Sequence, residues 1–151
     1  MYTYKKVGIA DLDMLVKTRI QILKVINKLS DDCDMTDFEK ETGEYYKTAL
    51  ENNNHTAILV FDEDKFIGAG GIDYYTVMPS YHNPTGKTAF IMNIYTDPQY
   101  RRNGIAFNVL DMLVKDAKER GAENIILDST KMGRPLYEKY GFKYITDYME
   151  L

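Results

Sequence analysis

The stretch from Ala89 to Phe107, AFIMNIYTDPQYRRNGIAF, constrains this chain more than any other because its pattern changes period in mid-course. Ala89 to Thr96 is apolar and rich in β-formers, which reads as a buried strand, and Asp97-Pro98 stops it. From Gly104 the apolar residues recur at helical spacing. The turn between them, Arg101-Arg102-Asn103-Gly104-Ile105-Ala106, feeds successive N–H groups into a helix start, which makes it a ready anion site. Gly104 can take backbone angles other residues avoid, and Ala106 leaves room for a ligand against the first helical turn. The competing reading is a solvated double arginine followed by a routine helix start.

The flanking elements can be read in order. Tyr2 to Val7 alternates as a first strand that Gly8 ends. Ala10 to Ile26 carries Leu12, Leu15, Val16, Arg19, Ile20, Leu23 and Ile26 at helical spacing, with Asp11 and Asp13 where the helix dipole favours acids. After a polar break, Met35 to Glu51 resumes a helical pattern, which Asn52-Asn53-Asn54 stops. His55 to Phe61 and Phe66 to Val77 read as a hairpin around Asp62 to Lys65. The second of these strands holds Gly68, Gly70 and Gly71, which are costly there unless a bulge or a ligand needs the space. Pro79 to Lys87 is a turn-rich loop leading into the central strand.

The helix after Gly104 runs to about Arg120, and Asn124 to Asp128 follows as a short buried strand. Its return through a helix to the same sheet implies parallel pairing and a right-handed crossover. A last helix spans about Arg134 to Tyr140, and Phe142 to Leu151 is expected to supply one or two closing strands. The order β-α-α-β-β-β-α-β-α-β predicts an α/β fold, one mixed sheet with helices on both faces. The 151 residues suit a single domain, 1–151, with one core and one cleft.

Charge and cysteine content narrow the function classes. A net charge of −4 disfavours a nucleic-acid or anionic-membrane binder. Cys33 is the single cysteine, so no internal disulfide forms, and neither a signal peptide nor a membrane-spanning apolar run is visible. A cytoplasmic protein is the expectation. The 13 tyrosines reduce what any one of them says about catalysis.

Arg-x-x-Gly-x-Ala after a strand ending in Asp-Pro is followed by a helix, a short strand and Leu136-Tyr137-Glu138-Lys139-Tyr140-Gly141-Phe142. Together these pieces resemble the GCN5-related N-acetyltransferases, over Ile91 to Phe142. The resemblance implies a GNAT-type fold in which two parallel strands, here Ala89 to Thr96 and Asn124 to Asp128, splay apart. Acetyl-CoA would enter the gap as a false strand, its pantetheine amides satisfying freed backbone groups. Ile94, Tyr95 and Thr96 would then meet the pantetheine and the thioester carbonyl. Arg102, Asn103, Gly104, Ile105 and Ala106 would present N–H groups to the pyrophosphate, with Arg101 and Phe107 in the same cofactor-binding set. Many relatives carry an asparagine before the last helix; the shorter stretch Ser129 to Pro135 lacks it, and Ser129 or Thr130 would substitute. No metal is implied.

Acetyl transfer to an amine needs a proton removed from the nitrogen and one returned to the sulfur. Tyr137 matches the family's proton-donor tyrosine; otherwise it is a helix tyrosine packed on the sheet. The central strand contains no acid, so the base is open among Asp128, Asp73 and His82, with Asp128 the working choice. Acids from Asp31 to Glu44 suggest a cationic acceptor such as a polyamine, an aminoglycoside or a lysine-like amine, against the plainer reading of a solvated helix face. Tyr45, Tyr46, Tyr74, Tyr75 and Tyr81 are wall residues for an aromatic pocket or simple amphipathic packing. The expectation is an acetyl-CoA-dependent N-acetyltransferase of a small-molecule amine, with a homodimer left open. The alternatives are a peptide N-terminal or lysine acetyltransferase and a non-catalytic acyl-CoA-binding module.

Overall fold

The computed structural model describes residues 1–145 and 147–151. In chain order these form β1 (Thr3–Val7), a 3₁₀ turn (Ile9–Asp11), α1 (Leu12–Ile26), α2 (Thr36–Glu51), β2 (His55–Asp62), β3 (Lys65–Thr76), β4 (Lys87–Thr96), a second 3₁₀ turn (Pro98–Tyr100), α3 (Ile105–Glu119), β5 (Asn124–Leu127) and α4 (Arg134–Tyr140). The strands build one mixed sheet in the order β1-β2-β3-β4-β5, antiparallel except for the parallel β4–β5 pair. No described helix is long and apolar enough to cross a membrane.

Alternation along the strands divides the core in two. On one face α1 and α2 cover Ala57, Leu59, Ala69 and Tyr95 with Leu15, Val16, Ile22 and Tyr46. On the other, α3 lays Ile105, Val109, Leu110, Leu113 and Val114 over Ile58, Val60, Ile67, Ile72 and Ile91, and α4 adds Leu136, Tyr137 and Tyr140 at the margin. The glycines of β3 serve this packing. A Cβ at Gly70 would overlap Val109 and lie 3.0 Å from Leu113, while one at Gly71 would stand 3.1 Å from His55 Nε2. A helix and a histidine ring, both protein groups, occupy the space those glycines leave.

The parallel ladder is short. It runs from Thr88↔Asn124 to Ile91↔Leu127, after which β4 continues to Thr96 bonded to β3 alone. Within this free half the pairing jumps from Gly71↔Met92 to Ala69↔Tyr95, placing an extra residue on β4. Asn93 lies in that bulge with φ 60°, which re-aims its side chain.

The closing strands expected from Phe142 to Leu151 do not form: among the described residues none follows α4, and Thr146, within that stretch, lies outside them. Gly141 ends α4 at φ 123°, and Phe142 turns back to pack against Tyr137 and Tyr140, at 6.3 and 6.0 Å between ring centroids. Beyond it Tyr144, Ile145, Tyr148, Met149 and Leu151 stay exposed. An apolar sequence becomes a strand only where an edge and a face receive it.

Asp116 ties three strands to α3. It accepts from Lys6 Nζ at 2.7 Å, Thr56 Oγ1 at 2.7 Å, Tyr74 Oη at 2.5 Å and Arg120 Nε at 3.2 Å. Burial alone would raise its pKa; the Lys6, Tyr74 and Thr56 hydrogen bonds outweigh that and hold it down at about 2. A depressed carboxylate contributes stability above its unfolded value of 3.8, lost as pH falls from there through about 2. Asp116→Asn should cost about 2 kcal/mol at neutral pH. The variant should also unfold with a flatter acid dependence, read from thermal melts down that range.

Candidate active site

The turn before α3 leaves backbone N–H groups and two arginines exposed. Asp97 stops β4 and caps the following 3₁₀ turn by accepting from Gln99 N–H at 2.9 Å. Arg101 to Gly104 are exposed, with Arg102 at φ 65° and Gly104 at φ 76°. The first helical bond runs from Asn108 N–H to Gly104 O at 3.0 Å, so the N–H groups of Ile105, Ala106 and Phe107 have no acceptor within the helix. The first turn of α3 holds no acid, and among the described residues neither Arg101 nor Arg102 forms an ion pair. Asn103 Nδ2 instead steadies the turn by donating to Tyr100 O at 2.9 Å.

Beside this turn lies the unpaired edge of β4. Ile94 packs toward α3, whereas Tyr95 is buried on the opposite face and stacks on Phe66 with ring centroids 6.1 Å apart. Thr96 Oγ1 is buried and without a partner among the described residues. Phe107, half-buried on α3, leans on Tyr140 at 5.4 Å.

Beside β5 is a groove of about 970 Å³ lined by Asp128, Ser129, Tyr137 and, after α4, Phe142, Tyr144 and Tyr148 among others. Burial pushes the Tyr137 phenol up. Tyr140 is also raised, to about 12, by burial and by the carboxylate of Asp111, to which its hydroxyl donates at 2.9 Å. Asp128 is exposed. Thr130 Oγ1 accepts from Gly133 N–H at 3.1 Å, so in this structure it organises the turn into α4.

On the α1–α2 face a cavity of about 280 Å³ opens against the β4 bulge. Arg19 comes from α1, Phe38, Glu41, Tyr45 and Tyr46 from α2, His55 and Asp73 from β2 and β3, and Met92 and Asn93 from β4. Arg19 Nη1 donates to Asn93 Oδ1 at 2.8 Å. The His55 side chain, 3% exposed, meets Asp73 Oδ1 through Nδ1 at 2.7 Å. A carboxylate only accepts, so that nitrogen carries the proton. Tyr45 donates to the same oxygen; burial first, then Asp73, pushes its phenol up and keeps it a donor. Asp73 is thus held by two donors, at the sheet register opposite Phe90.

A family model described as the acetyltransferase (GNAT) family matches residues 23–142. The chain belongs to that family. A crystal structure of a predicted acetyltransferase from Clostridium acetobutylicum with acetyl-CoA is 35% identical, with a TM-score of 0.88 over 100% of this chain and 96% of that one. A GCN5-related N-acetyltransferase from Ralstonia eutropha JMP134, 20% identical, shares the fold with a TM-score of 0.82 over 100% and 98% of the two chains. Glucosamine 6-phosphate N-acetyltransferase of Trypanosoma brucei brucei is 28% identical over 67 residues, 44% of this chain. The matched stretch spans 46% of that enzyme's length.

GNAT acetyltransferases use acetyl-CoA as acetyl donor, and two features of this chain suit it. The free edge of β4, with the orphaned Thr96 hydroxyl, offers backbone and side-chain partners to an amide-bearing arm. The Gly104 turn offers N–H groups and two arginines, neither of them in an ion pair among the described residues, to phosphates. Among the described residues no three metal-ligating side chains come together.

Sequence reasoning identified the turn and the edge strand but missed most of the cavity. Of the acids from Asp31 to Glu44 only Glu41 lines it, and the others project from exposed positions. Tyr45 and Tyr46 line it, whereas Tyr74 faces Asp116 on the other side of the sheet and Tyr75 and Tyr81 are exposed. His82 is exposed in its loop against Tyr81, at 5.3 Å between rings. Arg19 and Asn93 had a visible signal: each is a polar residue inside an otherwise apolar stripe.

Proposed function

We propose that this chain transfers the acetyl group of acetyl-CoA to a primary amine of a small molecule, by direct attack of the amine on the thioester. The observation that carries the reading is the meeting of three features at one place. The β4–β5 ladder ends at Ile91, a carboxylate-bearing cavity opens at Asn93, and the anion-binding turn follows Thr96. Acetyl-CoA supplies an acyl carbon at which a C–N bond replaces the C–S bond. The small volume of the cavity, about 280 Å³, favours a small acceptor over a peptide laid in a groove. The acceptor of the trypanosomal relative, named for glucosamine 6-phosphate, is of that kind.

Each residue then has a defined task. Asp73, fixed by His55 and Tyr45, takes the proton that the ammonium must lose, directly or through water. A backbone N–H near Ile94 steadies the carbonyl oxygen as charge develops on it. Tyr137, from the groove beside β5, returns a proton to the departing sulfur. Asp73 replaces Asp128 as the proposed base because it lines the cavity, whereas Asp128 lines the groove that holds Tyr137.

Thiol release from acetyl-CoA across a panel of amines tests this. Asp73→Asn should lower kcat/KM about 100-fold at neutral pH while acetyl-CoA still binds. The deficit should shrink as pH rises, because an amine that deprotonates in solution no longer needs the carboxylate. A comparable loss in Asp128→Asn with none in Asp73→Asn would return the base to Asp128. Acetyl-CoA binding with no turnover on any amine would favour a regulatory module.

A further inference from the structure

The cavity on the α1–α2 face holds a charge that an amine alone does not explain. A primary amine arrives as an ammonium ion, and Asp73 and Glu41 offer it carboxylates. Arg19 lines the same cavity. Its one hydrogen bond among the described residues goes to Asn93 Oδ1 at 2.8 Å, and no described carboxylate forms an ion pair with it. A guanidinium never loses its charge and carries a fork of N–H donors, of which only one is used here. Half-buried and outside any described ion pair, it keeps N–H donors free for an anion brought by the same molecule whose ammonium group meets Asp73 and Glu41.

We propose that the acceptor is an amine that also carries an anionic oxygen group, a carboxylate or a phosphate, and that Arg19 binds that group. This rests on the cavity being the acceptor site. Asn93 is the second half of the device. Its bulged backbone, at φ 60°, brings Oδ1 to Arg19 across 74 residues of sequence, so the guanidinium is fixed to the strand whose free edge flanks the gap. The anion is thereby seated at a set distance from the reacting carbon. A cavity of about 280 Å³, the space of about nine liquid waters, keeps anion and amine a few atoms apart. A polycation, the acceptor suggested by the acid-rich stretch, has no partner for Arg19.

Calorimetric titration of the protein saturated with CoA, which cannot turn over, reads the proposal directly. The probes are β-alanine, phosphoethanolamine, ethanolamine and putrescine. At least one of the two anionic amines should bind about tenfold tighter than ethanolamine, and the better of them identifies the anion as carboxylate or phosphate. Arg19→Gln should abolish that preference without weakening ethanolamine or CoA binding, and Arg19→Lys should retain part of it. Ethanolamine or putrescine binding as tightly as both anionic amines would overturn the proposal. So would an equal loss for all four probes in Arg19→Gln, the signature of a purely structural arginine. Thiol release from acetyl-CoA on the same panel separates the two readings. Anion-selective binding without turnover would remove acetyl transfer and keep the Arg19 site, whereas turnover of putrescine in preference to both anionic amines would do the reverse.

Discussion

Tyr137→Phe should lower kcat about 100-fold with little change in acetyl-CoA affinity. The phenol is raised by burial, so it is protonated at neutral pH and able to donate. Among the described residues its hydroxyl makes no hydrogen bond, in contrast to Tyr140, which is bound to Asp111 at 2.9 Å. The ring, however, is well packed. It meets Phe142 edge-on at 6.3 Å, and a Cβ on Gly133 would stand 2.9 Å from its Cε2. Phenylalanine keeps all of that packing and deletes only the proton, so the loss should fall on chemistry and not on folding. Single-turnover thiol release beside an acetyl-CoA titration separates the two. Unchanged turnover would remove Tyr137 from the mechanism, and Tyr140→Phe serves as the comparison expected to lose stability first.

The largest effect on the fold is expected at Gly70. An added Cβ overlaps Val109 and presses Ile94 and Leu113 at 3.0 Å, all of them rigid and closely packed. Gly70→Ala should therefore cost about 3 kcal/mol, a fall in Tm of about 10 °C. Because α3 can relieve the overlap only by lifting away from β3, the turn at its N-terminus moves with it. Affinity for acetyl-CoA should drop along with stability. Gly104→Ala makes the contrast. Nothing lies within 4 Å of a Cβ there, so its cost is the φ of 76°, about 1 kcal/mol. Thermal melts combined with acetyl-CoA titrations should show Gly70→Ala losing both properties and Gly104→Ala losing chiefly binding. A melt of Gly70→Ala unchanged from the parent would mean that α3 does not sit on β3 as described.

The elements were readable because their causes are local. Asp97-Pro98 ends a strand, Gly104 starts a helix and Gly141 ends one through backbone preferences that act within a few residues, and the period of the apolar residues separates β4 from α3 within a single window. The strand-turn-helix and the tyrosine helix were legible for the same reason, and with them the family. The closing strands expected in Phe142 to Leu151 do not form among the described residues, because pairing depends on an edge elsewhere in the molecule.

The sequence by itself therefore determined the order of elements from β1 to α4, the strand-turn-helix at Gly104 and the place of Tyr137 on α4. Tertiary structure alone decided where β4 and β5 part, which face each tyrosine takes, and which acids meet. Arg19 joins Asn93 across 74 residues and Tyr45 joins Asp73 across 28, distances over which sequence periodicity carries no information. A bulge of one residue on β4 decides where Asn93 points, since side chains alternate faces along a strand and one extra residue reverses them. The turn at Gly104 follows from local backbone rules. The cavity proposed for the acceptor exists only once α1, α2, β2, β3 and β4 have packed together.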